Sequence, residues 1–127
     1  LKLIFRLLHF HQPSRVLYVG EAAESEPDFL KKAVPSAEFV IQEPGQERND
    51  LGEFSFVIFA GIIPIQEMTV TGKKSVWCVK IPKKNRKMAD FFQSLVSEPY
   101  VSVSIRLKEF GIILIDRNIP RHGYVIK

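Results

Sequence analysis

The stretch RVLYVGEAAESEPDFL, from Arg15 to Leu30, contains the transition that decides the fold class. Arg15 to Val19 is a short apolar run followed by Gly20, a pattern typical of a buried parallel strand entering a tight turn. A helix is then predicted from Pro27 to about Val34, with Ser25 as a candidate N-cap. A buried strand, a turn and a helix in this order indicate the start of an α/β sheet.

The rest of the chain continues this alternation of helices and strands. Helices are predicted over Leu1–Gln12 and Lys84–Ser97, where apolar residues recur at helical spacing and a proline follows closely. The predicted strands are Arg15–Val19, Ala37–Gln42, Phe54–Ala60, Ser75–Ile81 and parts of the tail segments VSVSIRL, GIILIDR and GYVIK. This order predicts one α/β domain over residues 1–127, with about six strands, mostly parallel, a C-terminal antiparallel hairpin and helices on both faces.

The composition of the chain indicates the cellular compartment in which we expect it. No apolar run approaches the roughly 18 to 20 residues that a membrane span needs, so we expect a cytoplasmic protein with no membrane partner. The chain begins with Leu1 rather than methionine, and we expect a segment before it. The single cysteine, Cys78, lies in the apolar run SVWCVKI and is predicted to be a buried hydrophobe.

Charge is distributed unevenly. Nine acidic residues lie between Glu21 and Glu53, whereas Lys73–Lys87 contains seven basic residues and no acid. Such a basic segment could neutralise phosphates, but a solvated loop and helix start explains it more simply. Trp77, the aromatic residue within the segment, alternates into a strand and is predicted to lie in the core. Nucleic acid is therefore not the expected partner.

A family resemblance rests on the order of five segments: RLLHFHQPSRVLYVG, PSAEFVIQEPG, FSFVIFAG, SVWCVKI and VSVSIRLKEFGIILIDR. In this order they resemble class I S-adenosylmethionine-dependent methyltransferases, in particular short bacterial members. The resemblance spans nearly the whole chain and implies a Rossmann-like sheet. It also implies that the outer strand and helix that the family has between Glu43 and Phe54 are missing, which leaves Ala37–Gln42 near a sheet edge.

The resemblance implies a cofactor site formed by Gly20, Glu21, Ala22 and Glu43. A glycine after the first strand would let backbone N–H groups approach the methionine portion of S-adenosylmethionine. Glu43 would accept hydrogen bonds from the ribose hydroxyls, although an exposed turn acid is the alternative interpretation. Glu24 departs from the family by placing bulk and negative charge near the expected second glycine.

Other positions depart further from the family. Where the resemblance implies acids that handle the acceptor substrate, this sequence has Ala60, Lys80 and Arg106, so no metal is predicted. His9 and His11 are two positions apart and point to different faces of a helix, which argues against a zinc site. No residue is a strong candidate for catalysis.

The sequence therefore predicts a methyltransferase-like domain that has lost catalysis, needs no cofactor and acts as a binding or interaction module. A homodimer through the Ala37–Gln42 edge or through the first helix is the candidate assembly. The alternative is an active, metal-independent methyltransferase with a relaxed cofactor site. In that alternative, Gly20 admits the methionine portion and Glu43 holds the ribose.

Overall fold

Three α-helices and seven strands form in the residues that the computed structural model describes, which are 2–20, 26–43, 50–65, 68, 70, 74–116 and 122–125. The helices are α1 (Lys2–His11), α2 (Glu26–Lys31) and α3 (Arg86–Val96). The strands are β1 (Arg15–Val19), β2 (Glu38–Gln42), β3 (Phe56–Phe59), β4 (Lys74–Lys80), β5 (Val103–Arg106), β6 (Phe110–Asp116) and β7 (His122–Val125). None of these helices is long and apolar enough to span a membrane.

The strands form one sheet in the order β2-β1-β3-β4-β6-β5-β7. The first four strands in this order are parallel, and β6 runs antiparallel to both β4 and β5. This confirms the predicted α/β sheet, mostly parallel with a C-terminal antiparallel hairpin. The described strands number seven rather than about six, and β7, which overlaps the predicted segment GYVIK, pairs in parallel with β5.

Helices cover both faces of the sheet, as predicted. On the face that we call the α1–α2 face, helices α1 and α2 pack over Val16, Tyr18 and Phe56. On the opposite face, α3 packs over Phe59 and Trp77. Covering both faces explains why β3 is apolar and buried at every position.

Two residues of β4 behave as predicted. Trp77 is fully buried in the core, where its indole N–H donates to the Ser75 hydroxyl at 3.0 Å. Cys78 is also buried, and this burial raises the pKa of its thiol from 9.0 to about 12. Because a thiol with this pKa stays protonated near neutral pH, Cys78 is a small core residue and a poor nucleophile.

The second helix is shorter than predicted. Regular helix ends at Lys31 instead of about Val34, and the next three backbone N–H groups bond to carbonyls three residues earlier in the chain. Pro35 explains this ending, because proline disfavours the helical conformation at the residue before it. Ser25, the predicted N-cap, lies outside the described residues.

Two other boundaries differ by one or two residues. Helix α3 begins at Arg86 instead of Lys84, because the Asn85 side chain caps it by accepting a hydrogen bond from the Met88 N–H at 3.1 Å. Strand β4 spans Lys74–Lys80, one residue earlier than predicted. The next residue in the chain already hydrogen-bonds outside the strand, to the β5–β6 turn.

Strand β2 lies at the edge of the sheet formed by the described strands, and β1 and β3 are direct neighbours. Among the described strands, the predicted edge position of Ala37–Gln42 is therefore observed. The chain returns toward β3 through a 3₁₀ turn, Leu51–Glu53, which the Asp50 side chain caps. The predicted strand Phe54–Ala60 starts only at Phe56, because Phe54 closes the 3₁₀ turn with its own N–H.

Candidate functional site

The parallel strands end along one side of the sheet, which we call the carboxyl edge. Gly20, Glu43 and Ala60 directly follow β1, β2 and β3, and Lys80 and Arg106 are the last residues of β4 and β5. In open α/β sheets, ligands bind at this edge where the strand order reverses. Here the order reverses at β1, since β2 lies on one side of it and β3 on the other.

Two of the four predicted cofactor residues can be placed. The Gly20 N–H donates to the Gln42 carbonyl oxygen at 3.0 Å, which holds the end of β1 beside the end of β2. Glu43, the next residue, is therefore close to Gly20 and is half-buried. Glu21 and Ala22 lie outside the described residues.

Packing within the chain accounts for the glycine at position 20. A Cβ atom there would lie 2.8 Å from the Cε1 atom of Tyr18 and 3.2 Å from the Cβ atom of Ala60. The neighbouring backbone is also closely joined, because the Val19 carbonyl oxygen accepts hydrogen bonds from Ala60 at 2.9 Å and from Gly61 at 3.0 Å. The ends of β1 and β3 thus leave little room between them on this side of Gly20.

A cluster of three polar side chains lies next to this junction, and we call it the Glu26 cluster. Its members are Tyr18, Glu26 and Lys80. The Lys80 Nζ lies 2.5 Å from Glu26 Oε2, and the Tyr18 hydroxyl donates to Glu26 Oε1 at 3.2 Å. The side chains of Lys80 and Glu26 are only 26% and 14% exposed. The cluster therefore places a hydrogen-bonded ion pair in a largely desolvated position.

The register of the sheet explains how Lys80 reaches Glu26. Val19 pairs with Phe59, and Phe59 pairs with Val79, so the next position of each strand falls in one row: Gly20, Ala60 and Lys80. Neighbouring strands are about 4.8 Å apart, so Lys80 lies roughly 10 Å from the end of β1. Because the first two residues of the row have little or no side chain, the lysine can extend across the end of β3.

The residues at the positions where the resemblance implies acids form contacts within the protein. Lys80 binds a carboxylate with its ammonium group, as described above. Arg106 donates from Nη1 to the carbonyl oxygens of Leu107, Lys108 and Phe110, and so ties together the β5–β6 turn. Within the described ranges, no group of three or more His, Cys, Asp or Glu residues is arranged to hold a metal ion.

Sequence reasoning missed the Glu26 cluster. Lys80 and Glu26 are 54 positions apart, so no spacing rule could pair them. One indication was available in the composition of the strands. Tyr18 and Lys80 each carry a polar group next to buried apolar residues of their strand, and such groups normally need a hydrogen-bonding partner.

A cleft of about 440 Å³ opens farther along the carboxyl edge, beyond β4. Its lining comes from the β4–α3 connection, the start of α3 and the β5–β6 turn. The lining residues are Ile81, Pro82, Lys83, Lys84, Asn85, Arg86, Ala89, Arg106 and Lys108, and we call this the basic cleft. Its two sides are joined by a hydrogen bond from the Ile81 N–H to the Glu109 carbonyl oxygen at 2.8 Å.

The described basic residues of the segment Lys73–Lys87 lie in different parts of the structure. Lys74 pairs with Asp116 at 3.7 Å near the opposite edge of the sheet, and Lys80 joins the Glu26 cluster. Only the later part, Lys83 to Arg86, lines the basic cleft, where Arg106 and Lys108 join it. The contribution of the β5–β6 turn was not foreseen from the sequence.

Comparisons with known proteins concern the fold. No family model matches the sequence, and no curated protein matches it. A solved structure of a candidate methyltransferase from Pseudomonas syringae is 12% identical, with a TM-score of 0.47 over 91% of this chain and 98% of that one. The O-methyltransferase from Bacillus cereus in complex with SAH is 10% identical, with a TM-score of 0.45 over 91% of this chain and 80% of that one. The strand order gives this chain a Rossmann-like α/β fold, in which an antiparallel hairpin follows the parallel strands.

Proposed function

We propose that this chain is a methyltransferase-like domain that binds a ligand or partner and does not catalyse methyl transfer. The observation that carries the proposal is the Glu26 cluster at the reversal of strand order. In this fold, that position is where a nucleoside cofactor would be expected. Here Tyr18 and Ala60 occupy the side of Gly20 on which a Cβ atom would lie, and the Lys80–Glu26 pair crosses the end of β3.

Electrostatics supports the same proposal. S-adenosylmethionine carries a carboxylate and an ammonium group at its amino-acid end. Both carboxylate oxygens of Glu26 already accept hydrogen bonds, so an incoming ammonium would have to compete with Lys80. An incoming carboxylate would likewise have to compete with Glu26 for the Lys80 ammonium group.

Calorimetric titration with S-adenosylmethionine tests the proposal. We expect no binding heat with the cofactor at about 1 mM, which corresponds to a binding free energy weaker than about −4 kcal/mol. Saturable binding with a micromolar dissociation constant would overturn it. The sample must give a cooperative unfolding transition, so that absence of heat reports on the folded protein.

The alternative is an active methyltransferase, and one observation favours it. The hydrogen bond between Gly20 and Gln42 holds Glu43 beside the end of β1, which is the arrangement that ribose binding by Glu43 requires. In this alternative, Glu43→Ala should weaken cofactor binding by at least about tenfold. Glu98→Ala, which changes an acid elsewhere in the chain, is the matched control and should have no effect.

We also propose that two copies associate through α1 rather than through the edge strand. Phe10 on α1 is 90% exposed, and aromatic side chains are enriched in protein–protein interfaces. Strand β2 carries the charged Glu38, whose side chain is 60% exposed, and edge charges oppose pairing between strands. Sedimentation velocity at about 100 μM should detect a dimer that Phe10→Ser weakens, and a monomer at that concentration would contradict it.

A further inference from the structure

The basic cleft combines cations from two segments that are distant in the sequence. Its charged lining residues are Lys83, Lys84, Arg86, Arg106 and Lys108, and no acidic residue lines it. The β4–α3 connection turns sharply at Lys84, whose φ of 64° is rare for a residue with a side chain. The bond between Ile81 and the β5–β6 turn then holds the two basic segments against each other.

These cations lack acidic partners among the described residues. Ion pairs within that part of the chain involve Arg15, Lys31, Lys74 and Lys80, but none of the cations of the cleft. Two like charges 4 Å apart repel by about 1 kcal/mol in water and by more near a protein surface. An anion bound among the five cations would relieve this repulsion.

Arg106 supplies an oriented donor to the cleft. Its hydrogen bonds to the turn carbonyls all come from Nη1, so the guanidinium group is held in place by the backbone. Its Nε and Nη2 atoms make no hydrogen bond with a described residue. Such a fixed guanidinium group matches the geometry of phosphate oxygens, to which arginine can donate two parallel hydrogen bonds.

The size and lining of the cleft indicate the kind of anion. Its volume of about 440 Å³ falls within the range of small-molecule sites, roughly 300 to 1,000 Å³. No aromatic side chain lines it, so the bases of a single-stranded nucleic acid would find no stacking surface. A phosphate group carries a charge of about −1.5 to −2 at neutral pH, more than one carboxylate, and so suits several clustered cations better.

We propose that the basic cleft binds a small molecule that carries one or more phosphate groups. This proposal does not depend on whether S-adenosylmethionine binds, because the cleft lies beyond β4 and the cofactor position lies at β1. It assigns a ligand class to a region of the carboxyl edge that the family resemblance did not single out.

Titration of the full chain with inorganic tripolyphosphate, followed by calorimetry in low salt, tests the proposal. We expect saturable binding of about one equivalent. The double variant Lys83→Gln/Lys108→Gln should raise the dissociation constant by at least about tenfold, because it removes two of the cations that contact the anion. Both lysines are exposed, so the substitutions should leave the fold intact.

The matched control is Arg6→Gln/Lys32→Gln, which removes the same charge from exposed positions on α1 and in the turn directly after α2. It should change the dissociation constant by less than about twofold. An equal loss of affinity in both variants would overturn the proposal, because binding would then follow net charge alone. Absence of binding at about 1 mM would also overturn it, as would affinity for single-stranded DNA that increases with oligonucleotide length.

Discussion

Two neighbouring parts of the carboxyl edge differ in whether their charged side chains are paired and in how much open space lies beside them. At the ends of β1 and β3, the space beside Gly20 is filled, and the Lys80 ammonium is paired with Glu26. At the start of α3, a cleft is open, and no described acid pairs with the cations that line it. Two parts of one sheet edge can therefore differ in how their charged side chains are paired, although both follow the ends of parallel strands.

The difference has a physical origin in the elements that follow each strand. After β1, helix α2 begins with an acid that Lys80 can reach over the small residues Gly20 and Ala60. After β4, the connection Ile81–Asn85 supplies lysines and no acid. Lys80 and Glu26 therefore pair with each other at the first part, whereas the described residues offer no acidic partner to the cations at the second.

The largest effect on stability is expected at the ends of β1 and β3. Gly20→Ala should destabilise the protein by about 1 to 3 kcal/mol, because its Cβ would meet the Tyr18 ring at 2.8 Å in a packed environment. Gly61→Ala is the matched control, since its nearest contact would be an ordinary 3.8 Å, and it should change stability by less than about 0.5 kcal/mol. Urea unfolding of both variants measures the difference. Equal stabilities would mean that the junction is looser than described.

A smaller effect is expected for the ion pair. A double-mutant cycle with Glu26→Gln and Lys80→Met should give a coupling free energy of about 1 to 2 kcal/mol, because the pair is largely desolvated. The matched cycle uses Asp28→Asn and Lys31→Met on the exposed surface of α2. That pair is 3.8 Å apart with side chains 84% and 46% exposed, so its coupling should stay below about 0.5 kcal/mol. Couplings of equal size would mean that the Lys80–Glu26 pair is no more desolvated than an exposed surface pair.

Most of the fold could be predicted from the sequence, because strong local patterns mark it. Apolar runs bounded by glycine or proline located β1 to β4, and the alternating tail located the hairpin. Two element boundaries that the sequence did not predict are set by side-chain caps. The 3₁₀ turn after Asp50 and the start of α3 at Arg86 both depend on a single side chain accepting one backbone hydrogen bond.

The candidate sites could be predicted only in part, because they depend on contacts between distant segments. The sequence placed Gly20 and Glu43 at one edge but could not show that Tyr18 and Ala60 fill the space beside the glycine. Arg106 was noted only as a cation at a position where an acid was expected. Its role in the β5–β6 turn requires three carbonyl oxygens that only the folded hairpin brings together.

Amide chemical shifts of one isotopically labelled sample, titrated first with S-adenosylhomocysteine and then with tripolyphosphate, test the central claim most directly. We expect no change at Gly20 and Glu43 with about 1 mM of the nucleoside. We expect saturable changes with tripolyphosphate that are confined to Lys83–Arg86 and Arg106–Lys108. Saturable changes at Gly20 and Glu43 with the nucleoside, or polyphosphate changes scattered over the surface, would contradict the central claim.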